Sequence, residues 1–164
     1  MVQRLKEIDE KNCRPLYLLL LTDALVTGDI ENIHNEDGLL NYAFVRERNI
    51  IRSRIKAAFG VSIKHHRKLY EEIEVSYADA VVSRAGGISQ GIADMSKECG
   101  ISKEHYSNLC EEYGLTVNNN IPVIEPDLLA EYYVMRYADK FCHLWGIQEF
   151  WVPFFRDFNK KLYQ

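Results

Sequence analysis

The chain has 164 residues, 47% hydrophobic and 27% charged, which suits one domain or two small ones with a buried core. A formal charge of −4 disfavours a dedicated nucleic-acid binder, although a local basic face stays compatible with it. Cys13, Cys99, Cys110 and Cys142 form no C-x-x-C pair, which argues against a disulfide scaffold or a zinc knuckle and reads as reduced thiols of a cytoplasmic protein.

In chain order, Val2–Lys11 reads as a short helix with Leu5 and Ile8 on one face. Charges precede any apolar run at this end, so no signal peptide is expected. Asn12-Cys13-Arg14-Pro15 interrupts the helix, and proline suits the first helical position because its missing N–H would be unpaired there. Pro15–Thr27 then predicts an almost wholly apolar helix stopped by Gly28. Leu16, Leu19, Leu20 and Ala24 form one stripe, widened by Leu18, Leu21 and Leu25, so neighbours are expected to enclose it. The segment is too short for a bilayer and carries Asp23, so no membrane partner is expected.

Asp29–Asp37 reads as a polar connection. Gly38–Phe59 is a long amphipathic helix with Leu40, Phe44, Ile51, Ile55 and Ala58 near one face. After Gly60, Ile63–Arg84 predicts another helix closed by Gly86-Gly87. Ile88–Cys99 and Lys103–Tyr113 then read as two short helices separated by Gly100 and Ser102. Leu115-Thr116-Val117 and Ile121-Pro122-Val123-Ile124 flank the turn-prone Asn118-Asn119-Asn120, which predicts a small hairpin. Pro126-Asp127 opens a closing helix whose Tyr132, Tyr133, Val134, Met135 and Tyr137 make a core-facing band. Ile147–Leu162 follows, with Phe150, Trp151, Phe154 and Phe158 on one aromatic face that either folds back on the body, the default, or marks a protein contact or self-association.

Helix–turn–helix followed by a small wing is the winged-helix plan. The expected fold is therefore mainly α: a helical lid-like bundle (residues 1–64), a winged-helix unit with a small β-hairpin (65–140), and a C-terminal amphipathic helix (141–164).

Charge is unevenly distributed. Between Phe44 and Lys68 there are eight Arg or Lys against one acid, Glu47, whereas Glu71 to Glu112 holds nine acids against three bases. These segments either pack on each other or leave a basic face for an anion. A DNA-reading winged helix would use Lys103 on the second helix and Arg52 in the basic stretch. Glu104, Glu111 and Glu112 on that second helix oppose it, because phosphate neutralisation carries much of the affinity. The adjacent His65 and His66, and Cys142-His143 near Asp139, read as surface pairs, since neighbours on a helix do not face each other. No phosphate loop, G-x-S-x-G elbow or H-E-x-x-H helix occurs, so no catalytic residue, no metal ligand and no enzyme activity are assigned.

Arg14-Pro15-Leu16 leading into Tyr17–Val26 resembles the point where the helical lid follows the nucleotide-binding core in STAND ATPases, the signal-transducing relatives of AAA+ proteins. Val123-Ile124-Glu125-Pro126-Asp127-Leu128-Leu129-Ala130-Glu131-Tyr132 is similar to the end of that family's winged helix, where a Met-His-Asp-type motif meets the closing helix. The resemblance implies that Pro15 packs near an adenine and that Arg14 lies near its phosphates, but only when the core is present. It implies that Asp127 matches the motif aspartate. Pro126 stands where the nucleotide-sensing histidine would be and cannot donate a hydrogen bond, so Pro126 and Asp127 read as a hinge or interdomain clamp. The chain so read is a non-catalytic regulatory module that holds no ATP or ADP of its own. Its partner is the missing ATPase core or another protein. The alternative reading is a winged-helix DNA-binding regulator.

Overall fold

The structure, a computed structural model, describes residues 2–9, 14–86, 92–125 and 127–145. Among these residues lie seven α-helices: α1 (Val2–Ile8), α2 (Pro15–Thr27), α3 (Glu36–Phe59), α4 (Arg67–Gly86), α5 (Ser96–Cys99), α6 (Lys103–Glu112) and α7 (Asp127–Trp145). A 3₁₀ turn, Ile30–Asn32, follows α2. The fold is mainly α, and no helix among the described residues is long and apolar enough to cross a membrane. Two compact units divide between Arg48 and Asn49, inside α3, so the division expected near residue 64 lies within the second unit.

In the first unit α2 has the predicted ends. Pro15 occupies the first turn and Gly28 closes the helix at φ 84°. The Asp29 N–H reaches back 2.9 Å to the Ala24 carbonyl, so a left-handed glycine satisfies the helix end. The start of α3 is set by a cap that the sequence reading assigned to the connection. The Asn35 side chain accepts from Gly38 N–H at 2.8 Å, which moves the first turn back to Glu36.

Among the described residues α2 is not enclosed. Tyr17, Leu21 and Ala24 are fully buried, but Leu18, Leu19, Leu25 and Val26 are 41, 68, 50 and 81% exposed. A helix apolar all round normally sits inside a core; this one buries a single stripe.

The second unit is organised around α4, whose residues from Leu69 to Val82 are nearly all buried and which packs on α7. Ile51 and Ile55 of α3 and Tyr133, Val134 and Tyr137 of α7 join that core as expected, while Met135 is exposed. The chain leaves α3 through Gly60 at φ 65° and makes one turn in which Ser62 O accepts from the His65 and His66 N–H groups at 3.1 Å. That turn delays α4 to Arg67, four residues after the expected start, and places both histidines before the helix rather than on it.

Two expectations fail in the next segment. The helix expected over 88–99 is reduced, among described residues, to Ser96–Cys99. Asp94 accepts from Ser96 N–H at 3.0 Å, while Ala93 is held by Ser76 of α4 and Tyr106 of α6, so residues 92–95 follow a non-helical path.

The wing hairpin contracts to one bridge. Val117 and Asn120 exchange N–H···O bonds of 2.7 and 3.0 Å around Asn118 and Asn119, whose φ values of 52° and 60° are those of a tight left-handed turn. No strand forms among the described residues because the flanking backbone is committed elsewhere. Leu115 and Thr116 N–H both bond the Cys110 carbonyl, Tyr77 donates to Leu115 O, and Arg54 donates to Gly114 O. On the other side Pro122 has no N–H to give. The Glu111 carboxylate clamps the turn by accepting from Asn118 and Asn119 N–H and from the Thr116 hydroxyl. Those bonds, the Asn118 N–H foremost, hold its carboxyl below the ordinary range.

Candidate functional site

Arg14 closes the gap between the end of α1 and the start of α2. Its backbone N–H and Nε bond Asp9 Oδ2 at 2.8 and 3.1 Å, and its Nη2 bonds Glu36 Oε1 at 2.8 Å. The guanidinium lies 3.9 Å from the centroid of the Tyr17 ring, and the Tyr17 hydroxyl donates to the same Glu36 oxygen. Asp9 is only 4% exposed, so the pair is shielded on the carboxylate side. The Tyr17 hydrogen bond, and Arg14 after it, hold the Glu36 carboxyl below its usual range; the Asp9 contact foremost raises Arg14. A phosphate approaching Arg14 therefore meets two carboxylates already on it. The residue that the family likeness places near a nucleotide ties three helix ends together, with the exposed Pro15 beside it.

In the second unit, Arg52 and Glu74 form an ion pair across a separation of 22 residues. Glu74 is fully buried, and its other carboxylate oxygen accepts from the Tyr137 hydroxyl at 2.6 Å. The Tyr133 hydroxyl donates to the Glu74 backbone carbonyl at 3.3 Å. A buried carboxylate needs such partners, because desolvation of the charge is otherwise uncompensated. Five residues further along α4, Asp79 is 6% exposed and its Oδ1 finds no hydrogen-bond partner among the described residues. Burial pushes that carboxyl up to about 7.

The remaining sequence-derived sites are dispersed. Lys103 lies 3.6 Å from Asp94 and is exposed, and nothing joins it to Arg52. Asp127 is the first residue of α7, where an acid complements the helix dipole. Pro126 lies outside the described residues, as do Phe150, Trp151, Phe154 and Phe158. His105 is exposed on α6. Cys110 is a buried thiol whose pKa rises with burial to about 11, so it is no nucleophile at neutral pH. Among the described residues no group of three His, Cys, Asp or Glu side chains could hold a metal.

Residue types alone did not single out Glu74, Asp79, Asp9 or Glu36. A carboxylate on an otherwise buried stretch of α4 was the available signal. Its partner, however, is fixed only by packing.

Comparison with family models, with curated proteins and with solved structures finds no match for the chain.

Proposed function

We propose that the chain is a non-catalytic regulatory module of a STAND-type ATPase switch, working in the cytoplasm through contacts with a nucleotide-binding core or another protein. The observation that carries this reading is the outer face of α2. Leu18 and Leu25, and Leu19 and Val26, are pairs seven residues apart, and all four are solvent-facing. Together they present on the order of 400 Å² of apolar surface, as large as the biggest patch on a typical monomer and commonly functional at that size. The face begins one turn after Arg14 and Pro15, where the family likeness puts the junction with the core. In this reading α5, α6 and α7 correspond to the winged-helix unit, with its wing reduced to the Asn118-Asn119 turn, and Asp127 starts the closing helix as a clamp. DNA reading is the weaker alternative: α6 carries exposed Glu104, Glu111 and Glu112, and Lys103 is already beside Asp94.

The test places charge on that face. Leu19→Glu combined with Val26→Glu is expected to change stability by less than about 1 kcal/mol, as for exposed positions. It is also expected to abolish binding to a STAND-type nucleotide-binding core supplied as a separate polypeptide. Undiminished binding overturns the reading. So does a loss of several kcal/mol, as from a core position, because the face would then be covered by the chain itself.

A further inference from the structure

Four of the eight basic side chains between Phe44 and Lys68 form ion pairs, and a fifth bonds a backbone carbonyl. Arg46 meets Asp23, Arg52 meets Glu74, Arg67 meets Glu71 and Lys68 meets Glu98, while Arg54 donates to Gly114 O. Lys56 and Lys64 are different: neither has an ion pair or hydrogen bond among the described residues, and both are exposed. They line the same cavity, of about 390 Å³, together with Arg52, Asn49, Ser53 and Ser62.

The sequence builds this cavity from two sides. Asn49, Arg52, Ser53 and Lys56 follow i, i+3, i+4, i+7 spacing, so they share one face of α3. Gly60 in the left-handed region then folds the chain back, and the Ser62–His66 turn brings Ser62, Ile63 and Lys64 to the opposite wall. Tyr70, almost fully buried, donates to Val61 O at 2.8 Å and ties the returning chain to α4. Arg52 is anchored through Nε to Glu74, and its two terminal amino groups have no partner among the described residues. The residues that line the cavity thus carry three cationic groups, two hydroxyls and an amide, with one carboxylate, already paired, behind them.

We propose that this cleft is an anion site for a phosphate-bearing small molecule. Charge density decides the class. Two unmatched lysines and the open side of an oriented guanidinium suit a dianion or trianion, which accepts several charge-assisted bonds at once; a monocarboxylate leaves cations unmatched. The volume exceeds that of a single ion and falls in the range of roughly 300–1,000 Å³ usual for small-molecule sites. Ile63 supplies an apolar wall for an organic group carrying the phosphate. The cleft lies wholly in the second unit and owes nothing to the α2 face, so either proposal can fail alone.

The experiment titrates inorganic phosphate, pyrophosphate, phenyl phosphate and a short DNA duplex into the full chain at low ionic strength, followed by amide chemical shifts and calorimetry. Pyrophosphate is expected to shift the amides of Ser53, Lys56, Ser62 and Lys64. Its affinity is expected to fall about tenfold or more in the Lys56→Ala/Lys64→Ala double variant and by less than about twofold in Lys103→Ala. Both lysines are exposed, so an unchanged thermal midpoint shows that the double variant folds. Phenyl phosphate binding more tightly than inorganic phosphate identifies an ester resting on Ile63, and pyrophosphate as the tightest probe identifies a free polyphosphate. Absence of binding by every phosphate probe overturns the proposal. So does binding unaltered in the double variant, or duplex binding that pyrophosphate does not displace.

Discussion

Arg52→Met is expected to destabilise the protein by about 3–5 kcal/mol, the cost of leaving a buried carboxylate without its cation. Glu74 has no exposed surface, and a neutral hydroxyl such as that of Tyr137 cannot replace a guanidinium. At this chain length each kcal/mol moves the thermal midpoint by roughly 2–4 °C, so the drop should approach or exceed about 10 °C. Adding Glu74→Gln to Arg52→Met should recover most of it, because the charge that the guanidinium balanced is then gone. Thermal or urea unfolding of the single and double variants reads the effect. A loss below about 1 kcal/mol for Arg52→Met would mean that the pair is incidental.

The second large effect depends on pH. Asp79 is buried with one oxygen that has no hydrogen-bond partner among the described residues, and its carboxyl is raised from an ordinary 3.8 to about 7. Between those values the folded chain keeps a proton that the unfolded chain has lost. Stability from this residue is therefore greatest below about pH 4, falls as pH rises, and is fully lost above about pH 7. The loss across the window amounts to about 2–4 kcal/mol. Glu36 and Glu111 are shifted the opposite way and add stability with rising pH near the low end. The difference between wild type and Asp79→Asn isolates the Asp79 contribution. The variant should lack this pH slope and unfold at higher temperature than wild type at pH 8. Parallel pH profiles for the two proteins would show that Asp79 is solvated.

Local signals carried the helices well. Pro15 and Gly28 bound α2 as their backbone chemistry requires, and the apolar spacing in α3 picks out Ile51, Ile55 and Ala58 as core. What covers a helix is a different matter. The leucines of α2 are equally apolar on both sides, and hydropathy cannot say that, among the described residues, the Tyr17–Leu21–Ala24 stripe is the one that is fully buried. The wing failed for a competing reason: residues 115–117 and 121–124 have strand composition, yet Cys110 O, Tyr77 and Arg54 use the backbone groups that a ladder needs. A local turn, in which the Asp94 side chain accepts from the Ser96 N–H, likewise overrode the helical pattern before Ser96. In the cleft, the α3 face was legible as spacing, but Lys64 joins it only through the Gly60 reversal, whose direction helical periodicity does not encode. Glu74 and Arg52 stand 22 residues apart, and neither announces the other.

The most direct measurement on the proposed role is calorimetry with ATP and ADP on the intact chain, paired with a phosphate-release assay. A module without a nucleotide-binding core should release no phosphate above background, and any weak heat with ATP should vanish in the Lys56→Ala/Lys64→Ala variant. A micromolar ATP complex that survives that double substitution, accompanied by turnover, contradicts the account.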